Sequence, residues 1–359
     1  MKIVFFTRHE NLGASSRYRS IQFFDYLSSK GHQVKSHYFF TDDYLSSRYS
    51  GEKPYFKIFM RYISRLWAVM HIAWHADLVF IEKELFPFLP AFSEKFLFTR
   101  KAKKIYDYDD AIWHSYEQIR FDPLNIFKKK ISRVVSKSDL TIAGSNYLAD
   151  KLTEMGSKSV FKLPTVVPQS RYFGQGIKAK KTADIVWIGS MSTAKHLEII
   201  FTVLERIYIE RGSVSRLIGF PKSFFPSNLP PYIEIHDWSP KTELELIASS
   251  RIGVMPLPDR DFERGKCGFK LIQYMGLGLP TVASPVGENK HIVKDGVSGF
   301  HATSCNEWFN KIKLILDNPD MATEMGLAGF DRFKLNYSTE IASKKLNEIF
   351  LNLSGTKSK

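Results

Sequence analysis

Cysteine is scarce in this chain of 359 residues, which contains only Cys267 and Cys305. Two cysteines are too few for a disulfide framework, and no C-x-x-C pair offers the spacing of a structural zinc site. Long apolar runs are also missing, because Asp77 and two histidines interrupt the most apolar region, 66–81. The apolar run at 1–6 is too short for a signal peptide. We therefore predict a cytoplasmic protein without a transmembrane helix.

Acidic residues are in deficit, with 37 Asp and Glu against 51 Lys and Arg and a formal net charge of +14. The excess is larger in residues 1–168, which carry 26 basic and 17 acidic residues. Such a balance fits nucleic acid, an anionic membrane surface or a phosphorylated small molecule as partner. Composition alone does not choose among these three.

Internal repeats are absent, and short β-type runs alternate instead with longer amphipathic segments. Strands are predicted at Lys2–Thr7, His32–Phe40, Leu78–Glu82, Lys104–Tyr108, Asp184–Gly189, Ser215–Gly219, Ile252–Met255 and Pro280–Ala283. Helices are predicted at Ser16–Lys30, Pro90–Lys101, His196–Arg211 and Thr242–Ser249. This order predicts an α/β protein with a mostly parallel sheet in each half. Residues from Leu163 to Thr182 are predicted to be a linker, with a domain boundary near residue 170.

The first predicted strand is followed by a loop with Gly13 and then by a basic helical segment with Arg17 and Arg19. A strand, a glycine loop and a helix N-terminus together form an anion-binding geometry. No G-x-G-x-x-G and no G-x-x-x-x-G-K-[ST] motif is present, so a dinucleotide site of that type and a P-loop are not supported. A purely structural turn remains the alternative.

A carboxylate cluster with a histidine follows the strand at 104–108, in the segment Tyr106-Asp107-Tyr108-Asp109-Asp110-Ala111-Ile112-Trp113-His114. Carboxylates at the carboxyl end of a strand lie where open α/β sheets bind ligands. We expect Asp109, Asp110 or His114 to face a substrate. The D-x-D pattern of Asp107 and Asp109 also matches metal-dependent sugar transferases, but both carboxylates could instead cap neighbouring loops.

Two further loops in the second half offer positive charge next to a helix. The first contains Gly189 and Ser190 and leads to Lys195, which could meet a phosphate or simply be solvated. The second is the basic, glycine-containing stretch 263–268, which enters a helix with Lys270 on its first turn. An anion site at this second loop has several independent supports.

The segment 263–284, with Pro285-Val286-Gly287 and the stretch 291–300, resembles the donor-binding segment of family-4 (group 1) retaining glycosyltransferases. The resemblance extends to the loop at Gly13, the Asp-Tyr-Asp-Asp strand and the Gly189-Ser190 loop. It implies the GT-B fold, in which two Rossmann-like domains face each other across a cleft. The implied domains are 1–168 for the acceptor, 169–337 for the nucleotide sugar, and 338–359 as a helix and polar tail, with the helix returning to the N-terminal domain.

The resemblance also implies roles for individual residues and no essential metal or other cofactor beyond the nucleotide sugar. Lys195, Lys266 and Lys270 would neutralise the diphosphate leaving group, which is the electrostatic step that catalysis needs most. The predicted catalytic residues are Lys270, Lys195, Asp110 and His114. The predicted acceptor contacts are Arg17 and Arg19. The predicted donor contacts are Gly13, Gly189, Ser190, Lys266, Gly268, Phe269, Gln273, Glu263 and His291.

The sequence departs from the family pattern at the glutamate pair spaced E-x7-E, which would fall at Gly265 and Gln273. Gln273 can still hydrogen-bond a ribose hydroxyl, whereas Gly265 offers no carboxylate and Glu263 would have to replace it. His291 stands where the family usually has glutamate. The identity of the sugar is therefore open.

We predict a retaining glycosyltransferase that acts on a glycan or lipid-linked acceptor in bacterial-type surface polysaccharide or glycoconjugate synthesis. A nucleotide-sugar epimerase, a non-catalytic scaffold and a nucleic-acid-binding protein are the alternatives. Nucleic acid is not expected as a partner, because no recognition motif is present. The basic and aromatic segments Lys53–Trp74 and Lys128–Lys137 favour salt-sensitive peripheral attachment to the inner face of the plasma membrane.

Overall fold

The computed structural model describes residues 1–49, 55–98, 101–122, 124–172, 179–225 and 228–355. The chain forms two compact units, of which unit 1 comprises Met1–Val166 with Thr339–Lys359 and unit 2 comprises Val167–Ser338. Part of the predicted linker, 173–178, lies outside the described residues, as does Lys53. Within the described ranges, no helix combines the length and the apolarity needed to cross a bilayer.

Unit 1 contains a parallel sheet of six strands in the order β2-β1-β3-β4-β5-β6. The strands are β1 (Lys2–His9), β2 (Gln33–Phe40), β3 (Leu78–Glu82), β4 (Lys103–Tyr108), β5 (Leu140–Ala143) and β6 (Val160–Lys162). Phe5 of β1 pairs with Ser36 on one side and with Phe80 on the other. Strand β3 is buried along its whole length, as expected for a parallel sheet covered on both faces.

Apart from the last helix of the chain, eight α-helices of unit 1 lie in the described residues. They are α1 (Ala14–Arg19), α2 (Phe24–Ser29), α3 (Asp42–Tyr49), α4 (Tyr55–His71), α5 (Lys95–Phe98), α6 (Trp113–Glu117), α7 (Lys130–Val135) and α8 (Asn146–Glu154). The prediction of one continuous helix over Ser16–Lys30 is wrong, because the backbone at Ser20 (φ −135°, ψ −65°) leaves the helical conformation between α1 and a 3₁₀ turn.

Unit 2 contains a second parallel sheet, in the order β12-β11-β10-β7-β8-β9. The strands are β7 (Ala183–Ile188), β8 (Ser215–Ile218), β9 (Ile233–His236), β10 (Ser250–Met255), β11 (Thr281–Ala283) and β12 (Gly299–His301). The helices are α9 (Gln169–Tyr172), α10 (Met191–Ala194), α11 (Phe201–Arg211), α12 (Glu243–Ala248), α13 (Asp261–Arg264), α14 (Phe269–Gly276), α15 (Asn289–Ile292), α16 (Cys305–Asp317) and α17 (Pro319–Asn336).

The last helix, α18 (Thr339–Ser354), belongs to unit 1, as the sequence predicted. Its Phe350 ring lies 6.3 Å from the Phe5 ring and 6.2 Å from the Phe80 ring. His32 Nε2 lies 2.7 Å from Asn347 Oδ1, which adds a polar contact between α18 and unit 1. Burial of an apolar helix face against an existing core explains this return.

Each sheet has one point where the strand order reverses, between β1 and β3 in unit 1 and between β7 and β10 in unit 2. The loops that leave such neighbouring strands run in opposite directions and open a crevice at the carboxyl ends of the strands. These two crevices are therefore where the fold itself favours ligand sites.

Candidate active site

The crevice of unit 2 is bordered by the loop that follows β7, where the sequence predicted donor contacts at Gly189 and Ser190. A Cβ on Gly189 would lie 2.3 Å from the Trp187 ring, so only glycine allows the chain to turn here. Ser190 precedes α10, and its backbone N–H donates to the Thr193 hydroxyl at 3.2 Å. Both predicted residues thus lie at the carboxyl end of β7.

Helix α14 packs over the same reversal point and begins at the carboxyl edge of the sheet. The Tyr274 hydroxyl accepts from the Ile188 N–H at 3.2 Å and lies 3.4 Å from the Val254 carbonyl oxygen, so one side chain links α14 to both β7 and β10. Gly268 precedes the helix with φ +64°, and a Cβ there would lie 2.2 Å from Ile292 Cδ1. Glycine is required at this position, and the first turn of α14 begins directly after it, at Phe269.

Lys270 lies on the first turn of α14 and is half-buried. Its ammonium is 5.2 Å from the centre of the buried Trp187 ring. Burial, together with the positive charge of Lys266, lowers the pKa of Lys270 to about 7. No carboxylate in the described parts of the chain pairs with it. The half-buried Lys266 ammonium lies 4.4 Å from the Phe262 ring.

Next to these lysines, Glu263 and His196 form a buried pair, with Glu263 Oε1 3.2 Å from His196 Nε2. Burial lowers the pKa of His196, and the neighbouring charge of Lys270 lowers it further against the opposing effect of Glu263. A neutral imidazole can donate its Nε2 proton to the carboxylate and fix its orientation. Sequence reasoning missed His196 because it chose the adjacent Lys195, which is exposed.

Three other side chains complete the description of this region. Gln273 is buried, and its amide donates to the Tyr172 hydroxyl at 3.3 Å, so a ribose contact by Gln273 stays a prediction. His291 is exposed on α15. Asn289 is fully buried near Gly268, and its Oδ1 has no donor among the residues that the structure describes. Asn289 was not found from the sequence, since an asparagine in a short helix has no distinctive pattern.

The crevice of unit 1 brings together side chains from the loops after β1, β3 and β4. Ser15, two residues after the predicted Gly13, has its hydroxyl 2.8 Å from Glu82 Oε1 and 2.6 Å from Asp109 Oδ2. Lys83 has a left-handed backbone (φ 62°), and its ammonium lies 2.8 Å from Asp109 Oδ1 and 3.5 Å from Asp110 Oδ2. Burial opposes the charge of Lys83, but the two carboxylates outweigh it and raise the Lys83 pKa.

The D-x-D carboxylates are each neutralised by a cation of the chain itself. Arg19 is buried and donates through Nε to Asp107 Oδ2 at 2.9 Å, and through Nη1 to the Leu163 carbonyl at 2.8 Å. The structure thus gives Arg19 a role inside unit 1 in place of the predicted acceptor contact, because its guanidinium is enclosed. Arg17 is half-buried, with its guanidinium 5.4 Å from the Tyr18 ring.

Asp110 is partly exposed beside Lys83, whereas His114 lies on α6 with partners on both ring nitrogens. His114 Nδ1 is 2.6 Å from Glu117 Oε2, and its Nε2 is 3.4 Å from the Tyr147 hydroxyl. In the described ranges, no group of three or more His, Cys, Asp or Glu side chains is arranged to hold a metal ion.

Two basic residues that the sequence assigned to a membrane-facing surface are buried. Lys130 is fully enclosed and contacts the Glu84 carboxylate, with the Phe86 carbonyl at 2.7 Å and Glu94 Oε1 at 3.9 Å. Arg65 is fully enclosed as well. The prediction that these two cations face a membrane is therefore wrong.

Comparison with known proteins supports the resemblance found in the sequence. Residues 182–318 match the model of the family Glycosyl transferases group 1. A search of curated protein sequences finds no match.

Solved glycosyltransferase structures align with nearly the whole chain. A glycosyltransferase from Rickettsia africae ESF-5 aligns over 99% of both chains with 15% identity and a TM-score of 0.69. Sucrose-phosphate synthase from Thermosynechococcus elongatus aligns over 99% of this chain and 100% of its own, with 15% identity and a TM-score of 0.71. Anabaena HepE in complex with UDP and glucose aligns over 98% and 100%, with 13% identity and a TM-score of 0.73. The predicted GT-B fold is confirmed.

Proposed function

Because residues 182–318 match the glycosyl transferases group 1 family and the chain has the GT-B fold, we propose that this protein is a retaining glycosyltransferase that uses a nucleotide diphosphate sugar. One observation carries the proposal. The half-buried Lys270 ammonium lies at the start of α14 without a carboxylate partner in the described residues, and its pKa is lowered to about 7. A diphosphate bound beside Gly268 would supply the missing negative charge.

In the proposed reaction, the bond between the anomeric carbon and the diphosphate oxygen breaks as negative charge develops on the leaving group. Lys270, Lys266 and the positive end of the α14 helix dipole stabilise that charge. The acceptor hydroxyl attacks the anomeric carbon from the face that the diphosphate leaves, and its proton passes to a diphosphate oxygen. No protein nucleophile takes part, and the anomeric configuration is retained.

We further propose that Glu263 serves the sugar in place of the carboxylate missing at Gly265. The support is that His196 Nε2 lies 3.2 Å from Glu263 Oε1, with Lys270 nearby. This contact fixes the orientation of the Glu263 carboxylate before a donor binds. A carboxylate oxygen in this position can accept hydrogen bonds from donor-sugar hydroxyls.

Unit 1 is proposed to bind a glycan or lipid-linked acceptor through Asp110, beside Lys83 and Asp109. An Asp110 carboxylate oxygen can accept a hydrogen bond from a sugar hydroxyl of that substrate. The Lys83 ammonium places a positive charge next to the carboxylate. The proposed setting is surface polysaccharide or glycoconjugate synthesis, with the protein attached to the membrane where such acceptors are found.

The function is tested by screening nucleotide sugars for thermal stabilisation, since a ligand at 100 times its dissociation constant adds about 2.7 kcal/mol. The stabilising donor is then incubated with acceptor glycans and the products are identified by mass spectrometry and NMR. A new α-linked glycoside from an α-linked donor supports the proposal. A free sugar with inverted configuration at one ring carbon, formed without a glycoside, would instead indicate an epimerase.

We expect binding of the nucleoside diphosphate of the stabilising donor to take up protons above pH 7. Free Lys270 loses its proton as pH rises through about 7, whereas a bound diphosphate raises its pKa and keeps it charged. Binding at pH 8 should therefore consume close to one proton, and affinity should fall by up to about tenfold per pH unit above pH 7. Calorimetry in two buffers of different ionisation enthalpy measures the uptake. The Lys270→Arg variant should bind the nucleotide without taking up a proton. Equal proton uptake by the variant and the wild type would contradict the assignment of this proton to Lys270.

Transfer activity should persist in EDTA. Lys266, Lys270 and the start of α14 supply the positive charge that a metal would otherwise place on the diphosphate, and Asp107 and Asp109 are already paired with Arg19 and Lys83. Turnover is measured before and after chelation, with Mg²⁺ or Mn²⁺ added back. If turnover is lost on chelation and recovers when metal is added, the proposal that lysines replace the metal is wrong.

A further inference from the structure

Helix α4 presents a continuous apolar face to solvent. Phe56 is 75% exposed and Trp67 is 55% exposed, although both are large apolar side chains. The other exposed apolar members of this face, spaced three or four residues apart, are Tyr55, Phe59, Met60, Ile63, Leu66 and Met70. A contiguous apolar surface of this kind is uncommon on a protein without a partner for it.

Two arginines of the same helix face inward. Arg61 donates through Nε to the Phe39 carbonyl at 2.9 Å, and Arg65 donates to the Thr7 carbonyl at 2.7 Å. The buried Arg65 guanidinium also lies 5.1 Å from the Phe6 ring and 5.4 Å from the Phe39 ring. Arg61 and Arg65 thus attach α4 to β1 and β2, and the apolar side chains of the opposite face are left outside.

Helix α4 and the segments next to it carry basic and aromatic side chains. Helix α4 contains no Asp or Glu, and Lys57 is exposed on it. Trp74 is exposed just beyond its end. Helix α5 packs against α4, and the surface beside α5 includes the exposed side chains of Lys95, Arg133 and Lys137. These cations are complementary to anionic lipid headgroups.

We propose that the outward face of α4 inserts into the headgroup region of an anionic bilayer, with the helix lying in the membrane plane. The proposal rests on the proposed function and deepens it, because it names the surface that brings unit 1 to lipid-linked acceptors. Trp and Tyr favour the membrane interface, and a 17-residue helix offers about 26 Å of contact. A second protein copy would need a matching surface, whereas a bilayer adapts to any apolar face.

Insertion of α4 predicts that membrane binding responds to salt differently from the salt-sensitive peripheral attachment that the sequence favoured. Since Arg61 and Arg65 are turned inward, apolar burial supplies most of the affinity and cations only assist. Binding to vesicles should therefore survive high salt, although vesicles with anionic lipid should bind more than neutral ones.

The test is co-sedimentation of the full chain with vesicles of phosphatidylcholine, with or without phosphatidylglycerol, at low and high NaCl. The variant Phe56→Ser/Phe59→Ser/Trp67→Ser should lose at least tenfold in partitioning. A matched control, Ile209→Ser/Leu327→Ser/Leu335→Ser, removes three exposed apolar side chains from unit 2 and should partition like the wild type.

The outcomes separate this proposal from the proposed function. Binding of the stabilising nucleotide sugar and the unfolding midpoint are measured for every variant, and both should be unchanged by the α4 substitutions. Equal partitioning of the two triple variants, or complete loss of binding in high salt, overturns insertion through α4. If the wild type is a dimer, the α4 variant is a monomer and neither binds vesicles, the face is assigned to a second copy of the chain. That result also overturns insertion through α4. Failure to bind any nucleotide sugar would instead contradict the proposed function.

Discussion

Replacing Lys270 with alanine should lower the turnover of sugar transfer by about 10²- to 10³-fold. The ammonium is needed most when negative charge develops on the departing diphosphate, so kcat should fall more than substrate affinity does. Stability should change little or rise, because the free protein carries this half-buried charge without a carboxylate partner in the described residues. Steady-state kinetics and thermal unfolding measure the two effects.

Two variants make this result specific. Lys270→Arg keeps the charge and should retain more activity than the alanine variant, although guanidinium geometry differs from that of an ammonium. Lys241→Ala removes an exposed lysine elsewhere in unit 2 and should leave turnover unchanged. Near-normal turnover of Lys270→Ala, or an equal loss in the Lys241 variant, would contradict the assigned role.

The largest effect on stability is expected from Lys130→Ala, at about 3–5 kcal/mol of lost unfolding free energy. Lys130 is enclosed against Glu84 and lies near Glu94, whose pKa is raised by burial. Without the lysine, both carboxylates would remain buried without this cation. Chemical denaturation followed by circular dichroism measures the change.

Lys129→Ala is the matched control, because Lys129 precedes Lys130 in the chain and is exposed. This variant should change the unfolding free energy by less than about 0.5 kcal/mol. If the two alanine variants unfold at the same denaturant concentration, the buried ion pair does not contribute as described. Activity of the Lys129 variant should be normal.

Most strands could be predicted because they are short apolar runs with breakers on both sides. The strand predicted at Leu78–Glu82 is found with those bounds, and Lys104–Tyr108 is extended by one residue. Helices were predicted less well. The segment 16–30 has continuous helical periodicity, but Ser16 and Arg19 are held by Glu82 and Asp107, partners more than 60 residues away.

The sequence by itself determined the alternation of strands and helices, a mostly parallel sheet in each half and the basic loop before α14, because periodicity, glycine positions and charge are local properties. Only the tertiary structure decided which charges are available. Folding buries Arg19, Arg65 and Lys130. It leaves Lys270 without a carboxylate partner in the described chain and brings His196 into contact with Glu263. The reason is physical: whether a cation is paired depends on groups brought close by folding, and a local pattern contains no information on their distance.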